Sequence, residues 1–413
     1  MSDTQQALEA QLLALIAATP AGQNPWLTVK ENLLARMFPR LPPSAFAQAY
    51  LLATLLGICG LFAIASLILR WKKGIAWVFR IRRDPVPLLC PHIVISWSID
   101  FVLMVAFLEV YLALTLGYFH RHLNTTYAYW YFCVWFFPYL SGCVASWALA
   151  VSLVIHKQTI TRGRYAKAVM ACNIVGPGAP LIFAGILLGL AIPTGRTYSG
   201  VVQRNISIDK QLEARAATWH PGDLIVGADL AGIVPLLQQQ RAMYKDFRKC
   251  FTRVYIFYAV AALLLVAILS AIAATYFLAM RNSLNATRRV SMSSMSTGSD
   301  KLAQGFTTQQ HRVRRTLSNL LWTFFLFITL GLVFSISAII AASNPDALIT
   351  SPSSAQAVTF LPLYGFAILG IPCMALVFAS AVRAAPAPES PRLGGITSAG
   401  SVDRSETTQS LLR

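Results

Sequence analysis

Charge is scarce in this chain. Only 12% of its 413 residues are Asp, Glu, Lys or Arg, where soluble domains carry about 25%. Acid is scarcer still, with 16 Asp and Glu against 34 Lys and Arg. The histidines form no His-x-x-x-His pair, and the cysteines no Cys-x-x-Cys pair, so zinc and dithiol chemistry have no motif to stand on. A Gly-x-Ser-x-Gly elbow and a phosphate-binding loop are both missing. These absences point away from an enzyme, a metal and an organic cofactor. The first nine residues contain Asp3 and Glu9 but no basic residue, so no signal peptide is expected.

What fills the chain is hydrocarbon. Residues of apolar type make up 56%, the mean hydropathy is +0.58, and they arrive in blocks. A helix needs about 20 apolar residues to cross a hydrocarbon layer about 30 Å thick. Seven blocks meet that length: Ala45 to Leu69, Leu88 to Gly117, Tyr127 to Ile155, Ala168 to Pro193, Val254 to Met280, Leu317 to Ala342 and Val358 to Val382. Lipid cannot satisfy open strand edges, so the expected fold is all-α, a polytopic seven-transmembrane helix bundle. The layout divides into an N-terminal segment (1–44), the bundle (45–382) and a tail (383–413).

The net charge of +18 follows the loops. Arg70, Lys72, Lys73, Arg80, Arg82 and Arg83 lie in the first loop, Lys157, Arg162, Arg164 and Lys167 in the third. Arg281, Arg288, Arg289, Lys301, Arg312, Arg314 and Arg315 lie in the fifth, and four arginines in the tail. The positive-inside rule places these on the cytoplasmic side, with the N-terminus outside and the C-terminus inside. The basic residues serve the lipid bilayer, so no nucleic acid is expected as a partner. The long outer loop (194–253) carries nine more basic residues. Within it, Asp223 to Leu237 is apolar but too short to cross, and reads as a re-entrant or interfacial piece. Leu8, Leu12, Leu15 and Ile16 share one helical face, as in an interfacial helix.

Asp100 and Glu109 are the acidic residues well inside an apolar span, which makes each a functional candidate. Nine residues apart, they point about 180° apart on a helix. Asp100 reads as a buried polar switch, an ion contact or a carboxyl that ties helices together; Glu109 reads as an outer-cavity or interfacial group. In the fourth span Asn173 precedes Gly176, Pro177, Gly178 and Pro180, a sequence that should kink or unwind a helix. Gly185 and Gly189 add a small-residue face. The third span opens on Tyr127, Tyr129, Trp130 and Tyr131, an aromatic belt or a ligand box. Asn124 and Asn205 head sequons on the outer side and are candidate glycosylation sites; a third sequon at Asn285 falls inside. Ser291 and Ser318 follow paired arginines in or beside the Ser-rich inner loop (281–316) and are phosphorylation candidates. The tail has the composition of a disordered segment.

Seven spans, Asp100 in the second, a long serine-bearing fifth loop and a polar tail resemble a G-protein-coupled receptor. The texture is similar to orphan seven-span membrane proteins of filamentous fungi. The third span ends Val154-Ile-His-Lys157 without an Asp-Arg-Tyr-type triplet, and the seventh has Leu361-Pro-Leu-Tyr364 without Asn-Pro-x-x-Tyr. The resemblance implies a receptor-like sensor or surface organiser in the plasma membrane, possessing a cytoplasmic signalling partner at 281–316. A small-molecule or lipid transporter and a membrane scaffold or trafficking protein are the alternatives.

Overall fold

The computed structural model describes residues 3–37, 42–83, 86–156, 162–223, 225–295, 300–346 and 351–384, and over 283–320 its backbone path. Seven helices are long and apolar enough to cross a membrane. They begin with α3 (Pro43–Lys72) and α4 (Ile93–Phe119). The pair α5 (Tyr127–Cys133) and α6 (Phe136–His156) makes the third span, and α7 (Arg162–Thr218) the fourth. The last three are α9 (Val234–Met295), α10 (Asp300–Ser343) and α11 (Pro352–Arg383). Ahead of them lie α1 (Asp3–Ala17) and α2 (Pro25–Met37), and α8 (Gly227–Leu230) stands between α7 and α9. The all-helical polytopic bundle expected from hydropathy is therefore present, with one small exception.

The exception is a hairpin. β1 (Phe79–Arg82) and β2 (Leu88–Pro91) pair antiparallel, Phe79 opposite Pro91 and Arg82 opposite Leu88. The second span consequently starts at Ile93, after the strand, rather than at Leu88. Its N-cap is His92, whose Nδ1 accepts from the backbone N–H of Ile95. Burial, and after it the nearby Arg70 charge, push the His92 imidazole down to about 4, which leaves the ring neutral and able to accept. Asn173 ties the hairpin to α7: its Oδ1 accepts from Leu89 N–H at 2.9 Å, and its Nδ2 donates to the Pro87 carbonyl at 2.8 Å. At this same end Lys73 donates to the carbonyls of Ala381, Val382 and Ala384 at 2.7–2.9 Å. A cation there satisfies orphan carbonyls and complements the negative end of α11.

Two helices do not stop at the bilayer. α7 runs for 57 residues and α9 for 62, about 85 and 93 Å at 1.5 Å per residue against a hydrocarbon layer of about 30 Å. The outer loop expected over 194–253 is therefore mostly helix, and the inner loop expected over 281–316 is the far end of α9 and the start of α10. The described part of Asp223 to Leu237 holds α8 and the first turn of α9, with Pro235 in that first turn where a missing N–H costs nothing. The apolar face of α1 is covered by protein. Leu8 and Leu12 are buried with Trp26 and Val29 of α2, Ile208 and Leu212 of α7, Leu230 of α8 and Leu237 of α9. This second core, separate from that of the bundle, is a helical cap over the end where the N-terminus lies.

The fourth span is not unwound at its Gly-Pro run, and an interruption appears in the third. α7 stays helical through Gly176, Pro177, Gly178 and Pro180 and on past Pro193. Each proline opposes the carbonyl four residues back, and for Pro180 and Pro193 that residue is glycine (Gly176 and Gly189), whose backbone bends away with little resistance. Gly176 has a second reason. A Cβ on it would meet the ring of Trp147, so the glycine lets α6 lie close. In the third span Pro138 opposes Val134, a β-branched residue with a stiff backbone neighbourhood, and the helix interrupts at Val134 and Trp135.

Asn173→Ala removes both clasps on the hairpin at once. At about 1 kcal/mol per hydrogen bond, the variant should unfold at a lower temperature in detergent, and Trp77 beside His92 should report looser packing. An unchanged melting curve would mean that the hairpin is held by its apolar contacts alone.

Candidate functional site

A cavity of about 880 Å3 lies between cap and bundle. Its walls are α7 and α9. Along α7 the lining residues are Tyr198, Val201, Val202, Asn205, Ile208, Asp209 and Leu212. Along α9 they are Leu237, Gln240, Arg241, Tyr244, Phe247, Arg248 and Phe251. Both sets recur at steps of three and four, so each is one helical face. Each spans fourteen residue steps, which makes the cavity a slot about 21 Å long. Leu8, Leu12 and Leu15 of α1 and Lys30 and Leu33 of α2 roof it.

Rings floor it. Tyr118 and Tyr127 stack at 5.4 Å and 5°, Tyr127 approaches Tyr198 at 6.1 Å, and Tyr131 and Phe132 surround Phe251. Part of the aromatic opening of the third span, Tyr127, Tyr131 and Phe132, lines the cavity. From that floor a polar ladder descends into the bundle. Tyr131 and Tyr255 join hydroxyl to hydroxyl. Tyr258 donates to the Phe132 carbonyl at 2.5 Å, and Tyr139 to the Tyr258 carbonyl at 2.6 Å. Two residues beyond Tyr139, Ser141 donates to Asp100 Oδ2.

Asp100 is 6% exposed and its Oδ1 has no partner. It ties α4 to α6, so the interhelical-contact reading holds for one oxygen, and it does not line the slot. Glu109, expected at an outer cavity, is not in the slot lining either; its Oε1 is buried without a partner, facing α3 at Gly57. The reason is geometric: at half a turn from Asp100 it faces α3, away from the third span. Asn173 does not line the slot either; it bonds to the hairpin. Asn124 forms a local turn, its Oδ1 accepting from Thr126 N–H and Oγ1 at 2.8 Å. Asn205 corrects an expectation. It lies mid-helix in α7, 7% exposed and in the slot wall, so a glycan has no room there. The side chains of Ser291, Ser318 and Asn285, and the tail from Ala385 on, lie outside the described residues.

No hydropathy argument could have found the slot, because half of its lining belongs to polar stretches. The readable signal was the three-and-four spacing of Val201, Val202, Ile208 and Leu212 past the end of the span. Among the described residues no group of His, Cys, Asp and Glu is placed to hold a metal ion, and the seven cysteines are free. No family model, curated protein or solved structure matches the chain.

The cap is held to α7 by charge. Lys30 Nζ reaches Glu213 Oε1 at 2.5 Å and Asp209 Oδ1 at 3.1 Å. The Glu213 bond is the main reason its ammonium is held above the ordinary 10.5; burial opposes it and Asp209 adds to it. A raised pKa means the stabilisation is complete below 10.5 and disappears as pH rises through the folded value. Lys30→Met should therefore weaken the cap near neutral pH, read by Trp26 fluorescence, and abolish the loosening that the parent shows above about pH 10.5. Identical pH curves for both proteins would remove the pair from the argument. Asn205→Gln should leave glycosidase-sensitive mobility unchanged; a lost shift would show that the wall of α7 is open during maturation.

Proposed function

We propose that this is a receptor-like sensor of the plasma membrane. Its ligand lies in the slot between cap and bundle, and its occupancy is read by the bundle through the third span. The observation that carries this reading is the continuity of the slot floor with the polar ladder. Tyr131 and Phe132 line the cavity, hydrogen bonds lead from Phe132 through Tyr258 to Tyr139 on α6, and the same helix two residues on carries Ser141, which bonds to Asp100 of the second span. Between floor and ladder stands the interruption at Val134 and Trp135, with Trp135 edge-on to Phe334 of α10 at 4.9 Å. A sensor needs two packings that a ligand can tell apart, and a broken helix between ligand and bundle is a suitable element.

The charge alternation supports a cap outside and basic loops inside. With that orientation the segment 281–316 is the contact for a cytoplasmic signalling protein. A second reading, carriage of a small molecule or lipid, is favoured by one observation: the slot stands upright over the bundle mouth, its floor at the start of the third, fifth and seventh spans.

Val201→Trp places an indole in the slot wall and acts as a fixed occupant. In hydrogen-exchange measurements on the full chain in nanodiscs, the sensor reading expects altered exchange at 134–145 as well as in the cap. Changes confined to α1, α2 and the slot walls would remove the sensor reading and leave carriage.

A further inference from the structure

The three cations that line the slot are not equivalent. Lys30 has two carboxylates. Arg248 has Asp346, at 2.6 Å. Among the described residues Arg241 has only the Gln11 amide oxygen, at 3.2 Å, which carries no charge. Close to it stands Asn205. The walls run antiparallel, with Gly200 against Met243, which sets Arg241 and Asn205 about one helical turn apart along the slot. Asn205 is 7% exposed, lines the cavity, and its amide makes no hydrogen bond to a described residue. About two turns from Asn205 toward the floor, the Tyr198 hydroxyl is buried without a partner. A buried polar group without a partner costs about 1–3 kcal/mol, so native structures keep few of them. Here one such group, the Tyr198 hydroxyl, shares a cavity with the unbonded Asn205 amide and a guanidinium whose partner is neutral.

We propose, building on the reading of the slot as a ligand site, that its ligand is a single-chain amphiphile with one anionic head. The head lies at Arg241 and Asn205, and the chain lies along the slot. Shape and lining agree with this. A volume of 880 Å3 over a length of about 21 Å leaves an average cross-section of about 40 Å2, narrow for its length. Leucines close the cap end and aromatic rings the membrane end. Arginine suits such a head because its guanidinium offers parallel donors to the oxygens of a carboxylate or phosphate. Asn205 donates beside it through its amide N–H, and the Tyr198 hydroxyl is a further donor. No covalent step is involved.

The test is binding of radiolabelled palmitate to the full chain in nanodiscs of neutral lipid, with Val201→Trp nanodiscs as the blocked control. Lysophosphatidic acid and hexadecanol compete. Palmitate and lysophosphatidic acid should both bind, the stronger of them showing whether carboxylate or phosphate is preferred, and hexadecanol should be at least about tenfold weaker. Arg241→Gln should lower anion affinity about tenfold and leave hexadecanol unchanged, whereas Arg241→Lys should keep most of it. Equal binding of palmitate and hexadecanol, or indifference to Arg241→Gln, overturns the anionic head while leaving an apolar ligand site. If no chain compound binds while Val201→Trp still alters exchange at 134–145, the ligand class is wrong and the sensor reading stands. Loss of both overturns both.

Discussion

A polypeptide in hydrocarbon must satisfy its own backbone, and the rest of this structure follows from how far two helices carry that solution. In lipid the helix is obligatory because nothing else pairs every N–H and C=O. Outside lipid it is optional, yet α7 and α9 continue as helices well beyond the apolar stretches. Their surroundings change along the way. In its membrane window only 11% of α7 is buried by protein, and Leu181, Ile182 and Leu188 face outward. Higher up, Val201, Val202, Ile208 and Leu212 are each buried. Lipid covers the helix below and the cap covers it above. The slot is the interval between the two covers.

The treatment of polar atoms divides the molecule in the same place. Inside the bundle, several polar side chains bond to a neighbouring helix: Ser141 to Asp100, Tyr139 to Tyr258 and Tyr258 to Phe132. Such bonds join helices where apolar packing gives no preference over lipid. In the slot the pattern reverses, and Asn205 and Tyr198 are left with unused capacity while Arg241 has a neutral partner.

Legibility in the sequence followed the physics of each signal. The seven spans were readable because hydrocarbon thickness sets a minimum apolar length, and their order held. The extensions were not, since Arg196 to Thr218 is polar, and a polar helix without a membrane around it looks like a loop to a hydropathy argument. The hairpin was hidden because Leu88 to Pro91 continues the apolar run of the second span. The carboxyl at Asp100 was readable as a buried tie or switch, but its partner Ser141 was not, because serines are common in the third span and no spacing singles one out. Asn205 matched a sequon by its tripeptide, and only burial shows it to be a wall residue.

The placement of the break in the third span, not the fourth, bears on how a bound ligand would be felt. Bending a continuous helix disturbs a ladder of i to i−4 bonds, so an uninterrupted span resists local rotation. The fourth span has three internal prolines and remains helical throughout. The third has Pro138 opposite Val134, where the ladder lacks the bond that a proline nitrogen cannot donate, so the two halves meet where fewer bonds resist a change of angle. One half, α5, supplies Tyr127, Tyr131 and Phe132 to the slot, and the other, α6, supplies Ser141 to Asp100. A ligand that favours one setting of α5 over another would act on α6 through this joint and through Tyr258, which touches both halves through its hydroxyl and its carbonyl. The joint is where a small difference in contact at the slot can become a difference in packing among the second, third and fifth spans.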